Sequence, residues 1–425
     1  MLSKLHSCLS DVKTSSSPTS SHGPPSHPMN VTVYFAEHLI AEILSRLPVK
    51  ILLRCRCVSK PWCSLIDSPR FVKAHIKRSI ECNTNSGLIV SDGILYSVNF
   101  DFLDNATVVE IDQPLKSLLY DSTIMGSCNG LHCLLTPKSG MFAWNPATRK
   151  CKKLAPAPTD LLRPFKYSQA SMYGFGYDGG NDDYKVLSVL QPAHAVDGYK
   201  VLVYGMKTDS WKRLQNLPSH FQNIGAWCIY SSGALHWLVI KTVGQESCIS
   251  IFAVDLGVEK YREVPMPKVQ HKDINEMGLV IFDRSLCLLE YHPHIRVDVW
   301  VMNDYGVENS WCKLFTVEHK KVIRNYCMSV IPIAYSENRG DVLLQVDNMK
   351  AMWYNLQKKK IKTIKNMPYL FGLEAYTESL VPPDYNFDCD EKRLQTLPQE
   401  KKKQQTERKR NKRDKFLAKG FKLML

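Results

Sequence analysis

The chain has 425 residues, 44% apolar and 23% charged, which excludes a single average core and argues for a small module, a large module and tails. No window approaches eighteen uninterrupted apolar residues, which excludes a membrane-spanning helix as an expectation. The formal net charge of +14 is concentrated in residues 392–425, where 13 basic side chains against 3 acidic ones give +10; the body keeps only +4, too little for a phosphate-binding face on the folded part.

Residues 1–29 are rich in Ser, Pro and His, with Asp11 the lone acid, and are expected to be disordered because they cannot bury enough apolar surface. An organelle transit peptide shares the serine richness but carries arginine, which is missing here. Met29 stands just before the first patterned segment and is a candidate alternative start. The fourteen cysteines include no CxxC pair and several lie in apolar runs, as Cys228 and Cys287 do. They are expected to be reduced and buried, in a protein of the cytoplasm and nucleus.

Residues 30–79 read as a helical module. Leu39, Ile40, Ile43, Leu44 and Leu47 recur at helical spacing, with Glu37, His38, Glu42 and Arg46 on the other side. Pro48 stops that helix, Val49–Arg56 forms a second, and Val58, Trp62, Leu65 and Ile66 mark a third. Ser68 before Pro69 is an N-cap with proline at the first helical position, opening a helix with Phe71 and Ile76. About forty residues of short helices leave much apolar surface wet, so the module needs something to pack against. Periodicity alone leaves open whether that is the rest of the chain or another protein.

The run from Phe35 through Leu47, Pro48 and Val49 to Leu53, Arg54, Val58, Ser59, Lys60 and Trp62 closely resembles the F-box motif of plant F-box proteins. The resemblance implies that these helices pack against a Skp-type adaptor, which bridges to a cullin. It also implies that Phe35, Leu39, Ile40, Ile43, Leu44, Leu47, Pro48, Val49, Leu53, Arg54, Val58 and Trp62 are the contact or core set, two roles the sequence does not separate. Phe35 and Ala36 replace the usual Leu-Pro opening, losing a pre-set φ angle while keeping an apolar anchor.

From residue 88 to 382 the pattern changes to short Val-, Ile-, Leu-, Tyr- and Trp-rich runs between Gly, Asp and Asn clusters, the mark of strands and turns. A unit recurs at roughly fifty residues, a period typical of propeller blades. One half of each unit is a hairpin, at Phe142–Leu154, Val201–Leu214, Ile251–Val264, Val297–Leu314 and Met352–Ile364, whose second strand restarts after a bulky residue. The other half precedes it, at Gly130–Leu135, Tyr184–Leu190, Ala234–Ile240, Ser285–Glu290 and Asp341–Val346. A weaker unit from Leu88 to Ile111 brings the count to about six blades. Glu374–Val381 is expected to close the ring against the first.

Gly126–Leu135, Trp144–Leu154 with its Asn145-Pro146-Ala147-Thr148-Arg149 turn, Tyr173–Val186, Gly233–Trp237 and Val297–Trp311 resemble the type 1, kelch-like F-box-associated domain of the same family. The resemblance implies a substrate-recognition subunit of an SCF-type ubiquitin ligase with no catalytic residues of its own. One likeness within the family is to a member with a similar basic tail that limits intracellular nucleotide-binding, leucine-rich-repeat immune receptors. The resemblance therefore implies such receptors as targets.

Catalytic signals are weak. Gly174, Gly176 and Gly179 satisfy GxGxxG, but a strand follows rather than a helix, and a turn between blades is the expectation. Asp178–Asp183 lacks the glycine and glutamate of a calcium loop. His292 and His294 lack a third metal ligand at useful spacing. His132 beside Cys133, and His236 beside Trp237, sit in strand patterns whose neighbours point to opposite faces. No cofactor and no metal are expected. The rival readings are a carbohydrate-binding or sugar-oxidising propeller with merely structural N-terminal helices, and RNA binding through the basic tail of residues 383–425. That tail is also a candidate nuclear import signal.

Overall fold

Proline and serine punctuation cuts the N-terminal module into four helices: α1 (Glu37–Leu44), α2 (Val49–Cys55), α3 (Lys60–Asp67) and α4 (Pro69–Glu81). Pro48 caps α2, its carbonyl accepting from Ile51 N and Leu52 N. The Ser59 and Ser68 hydroxyls accept from Trp62 N and Phe71 N, satisfying amide groups that the first helical turn leaves free. The computed structural model describes residues 37–91, 95–99, 109–110, 122–136, 140–158, 167–192, 199–217, 221–222, 228–243, 246–269, 273–318, 329–347, 349–364, 367 and 372–384. Two units are distinguished: Met1–Ile40, of which Glu37–Ile40 are described, and Ala41–Leu425. Phe35, Met29, the first 29 residues and the basic tail beyond Asp384 lie outside the described residues.

The remainder is a six-bladed β-propeller of antiparallel sheets. Blade 1 holds β1 (Ser86–Ser91), β2 (Leu95–Asn99) and β3 (Val109–Glu110), and blade 2 holds β4 (Thr123–Cys128), β5 (Leu131–Thr136), β6 (Gly140–Asn145) and β7 (Lys150–Lys153). Blade 3 holds β8 (Tyr167–Asp178), β9 (Asp183–Pro192), β10 (Lys200–Gly205) and β11 (Ser210–Arg213). Blade 4 splits its first strand into β12 (Phe221–Gln222) and β13 (Ile229–Ser231), followed by β14 (Ala234–Val243), β15 (Glu246–Asp255) and β16 (Tyr261–Val264). Blade 5 comprises β17 (Met277–Phe282), β18 (Ser285–His292), β19 (Arg296–Met302) and β20 (Trp311–Glu318). Blade 6 comprises β21 (Val330–Tyr335), β22 (Asp341–Val346), β23 (Lys350–Asn355) and β24 (Lys360–Thr363).

The ring closes as expected from the sequence, but with a different boundary. Strand β25 (Gly372–Thr377) pairs with β1, Val90 opposite Leu373 and Leu88 opposite Ala375. Residues 378–381, assigned to the closing strand from the sequence, instead leave the sheet. The GxGxxG reading also needs correction: Gly174 and Gly176 lie inside β8, not in a turn between blades. A β-carbon on Gly174 would collide with Cys228 Sγ, and one on Gly176 with the Tyr230 ring, so these glycines let neighbouring blades approach.

In three of the five hairpins a bulky residue at the start of the second strand staples blades together. Trp211 Nε1 donates to Ala155 O (2.7 Å), Tyr261 OH to Asn216 O (2.6 Å) and Trp311 Nε1 to Pro265 O (2.9 Å); each acceptor lies just past the last strand of the preceding blade. Ion pairs repeat the pattern on the outer strands, Lys152 with Asp209, Lys212 with Glu259 and Glu318 with Lys359. Apolar residues from adjacent sheets fill the seams, as Phe282, Leu289 and Val299 do against Val342, Leu344 and Tyr354.

Helix α4 is part of this core. Val72 and Ile76 share one cluster with Cys128, Leu131 and Val381. Lys73 Nζ reaches Asp182 (2.6 Å) in the β8–β9 turn, and Arg284, in the β17–β18 turn, donates to Ile80 O (2.6 Å). All these partners lie on the face carrying the first-to-second-strand turns. Antiparallel order puts the second-to-third-strand turns, and the connections between blades, on the opposite face.

Candidate functional site

The N-terminal helices divide the sequence-expected set into core and surface. Leu44 and Val49 are buried, joined by Leu52 and Ile66, which the resemblance did not single out although their helical spacing marks them as core. Leu47, Leu53 and Trp62 are half-buried, as is Ile40, while Pro48 and Arg54 are exposed. Leu39, Ile43 and Val58 are 47%, 50% and 64% exposed. The stripe read from the sequence is thus not one uniform face, since its members differ in how far the fold covers them.

Hydrogen bonds fix the scaffold beneath these side chains. Glu42 accepts from Arg46 (2.6 Å) and from Arg78 of α4 (2.9 Å), which hold its carboxyl below the usual range. His75 of α4 is buried with its Nε2 2.9 Å from Leu47 O, tying α4 to the turn before Pro48. Burial pushes the His75 pKa down, so the ring is neutral in this contact.

On the propeller face away from α4, two second-to-third-strand turns present apolar tips, Ile295 at 60% and Met349 at 57% exposure in neighbouring blades. Below Ile295 lies a charged cluster that corrects the sequence reading of His292. Its third partner comes from the sheet register, not from short spacing: donor atoms of Glu290, His292 and Asp298 all lie within 4.8 Å of one another. Asp298 already accepts from Lys313 (2.7 Å), Thr316 (2.6 Å) and Arg296 (3.1 Å). Against the burial that would raise it, these donors hold its pKa down to about 2. With two side-chain cations on the same carboxylate, the cluster is a closed salt-bridge network.

The other polar residues singled out in the sequence are structural. Burial pushes His132 down to about 3 and Cys133 up to about 12, the wrong directions for a base and a thiolate nucleophile at neutral pH. The His236 ring lies 3.2 Å from Ile229 O and 2.5 Å from the Tyr305 hydroxyl, both its nitrogens engaged. Asp178 caps its own turn, accepting from Gly180 N and Asn181 N, and pairs with Lys185 (2.8 Å).

Four short helices joined to a closed six-bladed ring set the frame for comparison. The F-box domain model matches residues 36–74, and the F-box associated beta propeller domain model matches residues 86–383. The chain belongs to the F-box family with an F-box-associated propeller. It is 32% identical to F-box protein CPR1 of Arabidopsis thaliana over 91% of this chain and 98% of that one. It is 30% identical to F-box protein At4g22390 of the same plant, again over 91% and 98%. F-box/kelch-repeat protein At3g23880 is 28% identical over 66% of this chain and 78% of that one. The F-box match starts at Ala36, directly after Phe35, and ends within α4.

Proposed function

We propose that this F-box protein is a non-catalytic substrate-recognition subunit of an SCF-type ubiquitin ligase, binding a Skp-type adaptor, and through it a cullin, with its F-box and a protein target with its propeller. The observation that carries the reading is the exposure of Leu39 and Ile43 on α1 and of Val58 in the α2–α3 turn, beside a core of Leu44, Val49, Leu52 and Ile66 that is already filled. Such side chains gain free energy when a partner covers them. The adaptor role needs no cofactor: it holds the target near a ubiquitin-loaded enzyme by effective concentration. Affinity capture from plant extract tests it. Wild type should recover adaptor and cullin, Ile43→Asp plus Val58→Asp should not, and equal recovery rejects the assignment.

The propeller face opposite α4 is the target surface in this reading, with Ile295 and Met349 at its tips, because turns on a rigid scaffold suit recognition. Intracellular nucleotide-binding, leucine-rich-repeat immune receptors are the narrower target class, supported by the family resemblance in the sequence. Co-expression tests it: receptor level should fall with the wild-type chain and not with the Ile43→Asp plus Val58→Asp form. Residence in cytoplasm and nucleus belongs to the same proposal, with residues 392–425 as import signal. A fluorescent fusion lacking them should shift toward the cytoplasm.

A further inference from the structure

Asn145 opens the turn between β6 and β7 and is fully buried. Its Oδ1 accepts from Ala147 N (2.9 Å) and Thr148 N (3.1 Å), closing the turn. Its Nδ2 donates outside the turn, to Ser379 O (3.0 Å) and Val381 O (2.7 Å). Those carbonyls belong to the strap, residues 378–384, that follows β25. Ser379 is 0% and Val381 6% exposed, and Glu378 N donates to Asn85 O (2.8 Å) just past α4.

The strap lies between the ring and the F-box helix. On the ring side, a β-carbon on Gly130, which has φ +79° in the β4–β5 turn, would collide with Ser379 Oγ and with Thr377 O. On the helix side, Val381 shares a cluster with Val72 and Ile76, and Leu380 and Ile80 pack against it. A carboxamide alone among side chains of this size supplies two N–H donors and an acceptor together, which this position requires.

We propose that Asn145 is a positioning residue: by clamping the strap it locks α4, and with it the F-box, in one orientation on the propeller. Resting on the ligase reading above, the lock fixes the distance from bound target to ubiquitin-loaded enzyme and so the effective concentration of one for the other.

Asn145→Asp is the discriminating variant, because it keeps the acceptor for Ala147 and Thr148 but turns a carboxylate toward two carbonyls. Hydrogen exchange on the full chain should show at least a tenfold loss of protection in α4 and in residues 378–384, with β18 and β19 of blade 5 unchanged. Gly130→Ala, which leaves Asn145 intact and crowds Ser379, should give the same local pattern. Unchanged α4 protection in both variants, or an equal loss in every blade, overturns the lock. Adaptor affinity of Asn145→Asp should stay within twofold of wild type. A wild-type chain that binds no adaptor removes the ligase reading while leaving the exchange result to judge the lock.

Discussion

Ile43 and Val58 allow contact to be separated from core by a single measurement. Truncating isoleucine to alanine removes carbons worth about 2.4 kcal/mol when a partner buries them fully. Because Ile43 is already half covered, the adaptor can add only half of that, about 1.2 kcal/mol. Val58→Ala removes less, but from a side chain 64% exposed, and gives about 1 kcal/mol. At about 1.4 kcal/mol per decade, the pair should weaken adaptor binding roughly 30- to 40-fold. Folding should hardly respond, since exposed substitutions fall within about 0.5 kcal/mol. Leu44→Ala provides the contrast: at 1% exposure its loss should cost about 2–5 kcal/mol of stability. Isothermal titration with the Skp-type adaptor, alongside calorimetric melting, reads both quantities. Unchanged affinity with a lowered melting temperature for Ile43→Ala/Val58→Ala would place these side chains in the fold and refute the reasoning.

The closing seam should respond to pH through Glu374, which faces the Ser127 hydroxyl and His132 at 4.0 Å, the His132 ring in turn meeting the edge of Tyr376. Its side chain keeps 31% of its surface, and desolvation pushes its pKa up to about 7 against the opposing Ser127 hydrogen bond. A raised folded-state pKa gives stability that is full below the unfolded value of 4.5 and is lost as pH rises through about 7. His132, pushed down from 6.5 to about 3, acts the other way, losing stability as pH falls across that interval. Between pH 4.5 and 6.5 the two effects oppose each other, so denaturant unfolding at stepped pH should show Glu374→Gln gaining stability relative to wild type as pH rises from 4.5 to 7; the same slope in both proteins would rule Glu374 out. Trp311→Phe strands the Pro265 carbonyl and should cost about 1–3 kcal/mol in urea unfolding, with no change in adaptor affinity. Gly176→Ala should cost at least about 1–3 kcal/mol, because its new methyl meets the Tyr230 ring between blades 3 and 4; a melting temperature equal to wild type would contradict that packing.

Features set by local chemistry were legible before any coordinates. Pro48 and Ser68 place helix ends by backbone geometry and capping. The blade period was visible in part because Trp211, Tyr261 and Trp311 recur where the outer strands of blades 3, 4 and 5 reach the blade before them. Features set by register or long-range approach were not. His292 meets Asp298 only because β18 and β19 pair as they do. Gly174 and Gly176 mimic a phosphate loop in sequence, and only the positions of Cys228 and Tyr230 explain them. Nor could periodicity divide the F-box stripe, since Ile43 and Leu44 are adjacent, equally apolar, and opposite in burial.

The same contrast explains how so small a helical module can be both anchored and available. Four short helices cannot enclose a sufficient core, and the shortfall is met from two sides. Helix α4 gives Val72 and Ile76 to the propeller, so its apolar residues act on folding. Ile43 and Val58 keep 50% and 64% of their surface exposed, so in the proposed reading theirs act on association. Under the proposed ligase role, a helix bundle fully sealed by the ring would have nothing left to offer an adaptor, and one wholly free of it could not hold a target at a fixed place. The split between α4 and the rest of the module is what that role would require. Substitutions in α4 should therefore register as lost stability, and substitutions at Ile43 or Val58 as lost binding at unchanged stability.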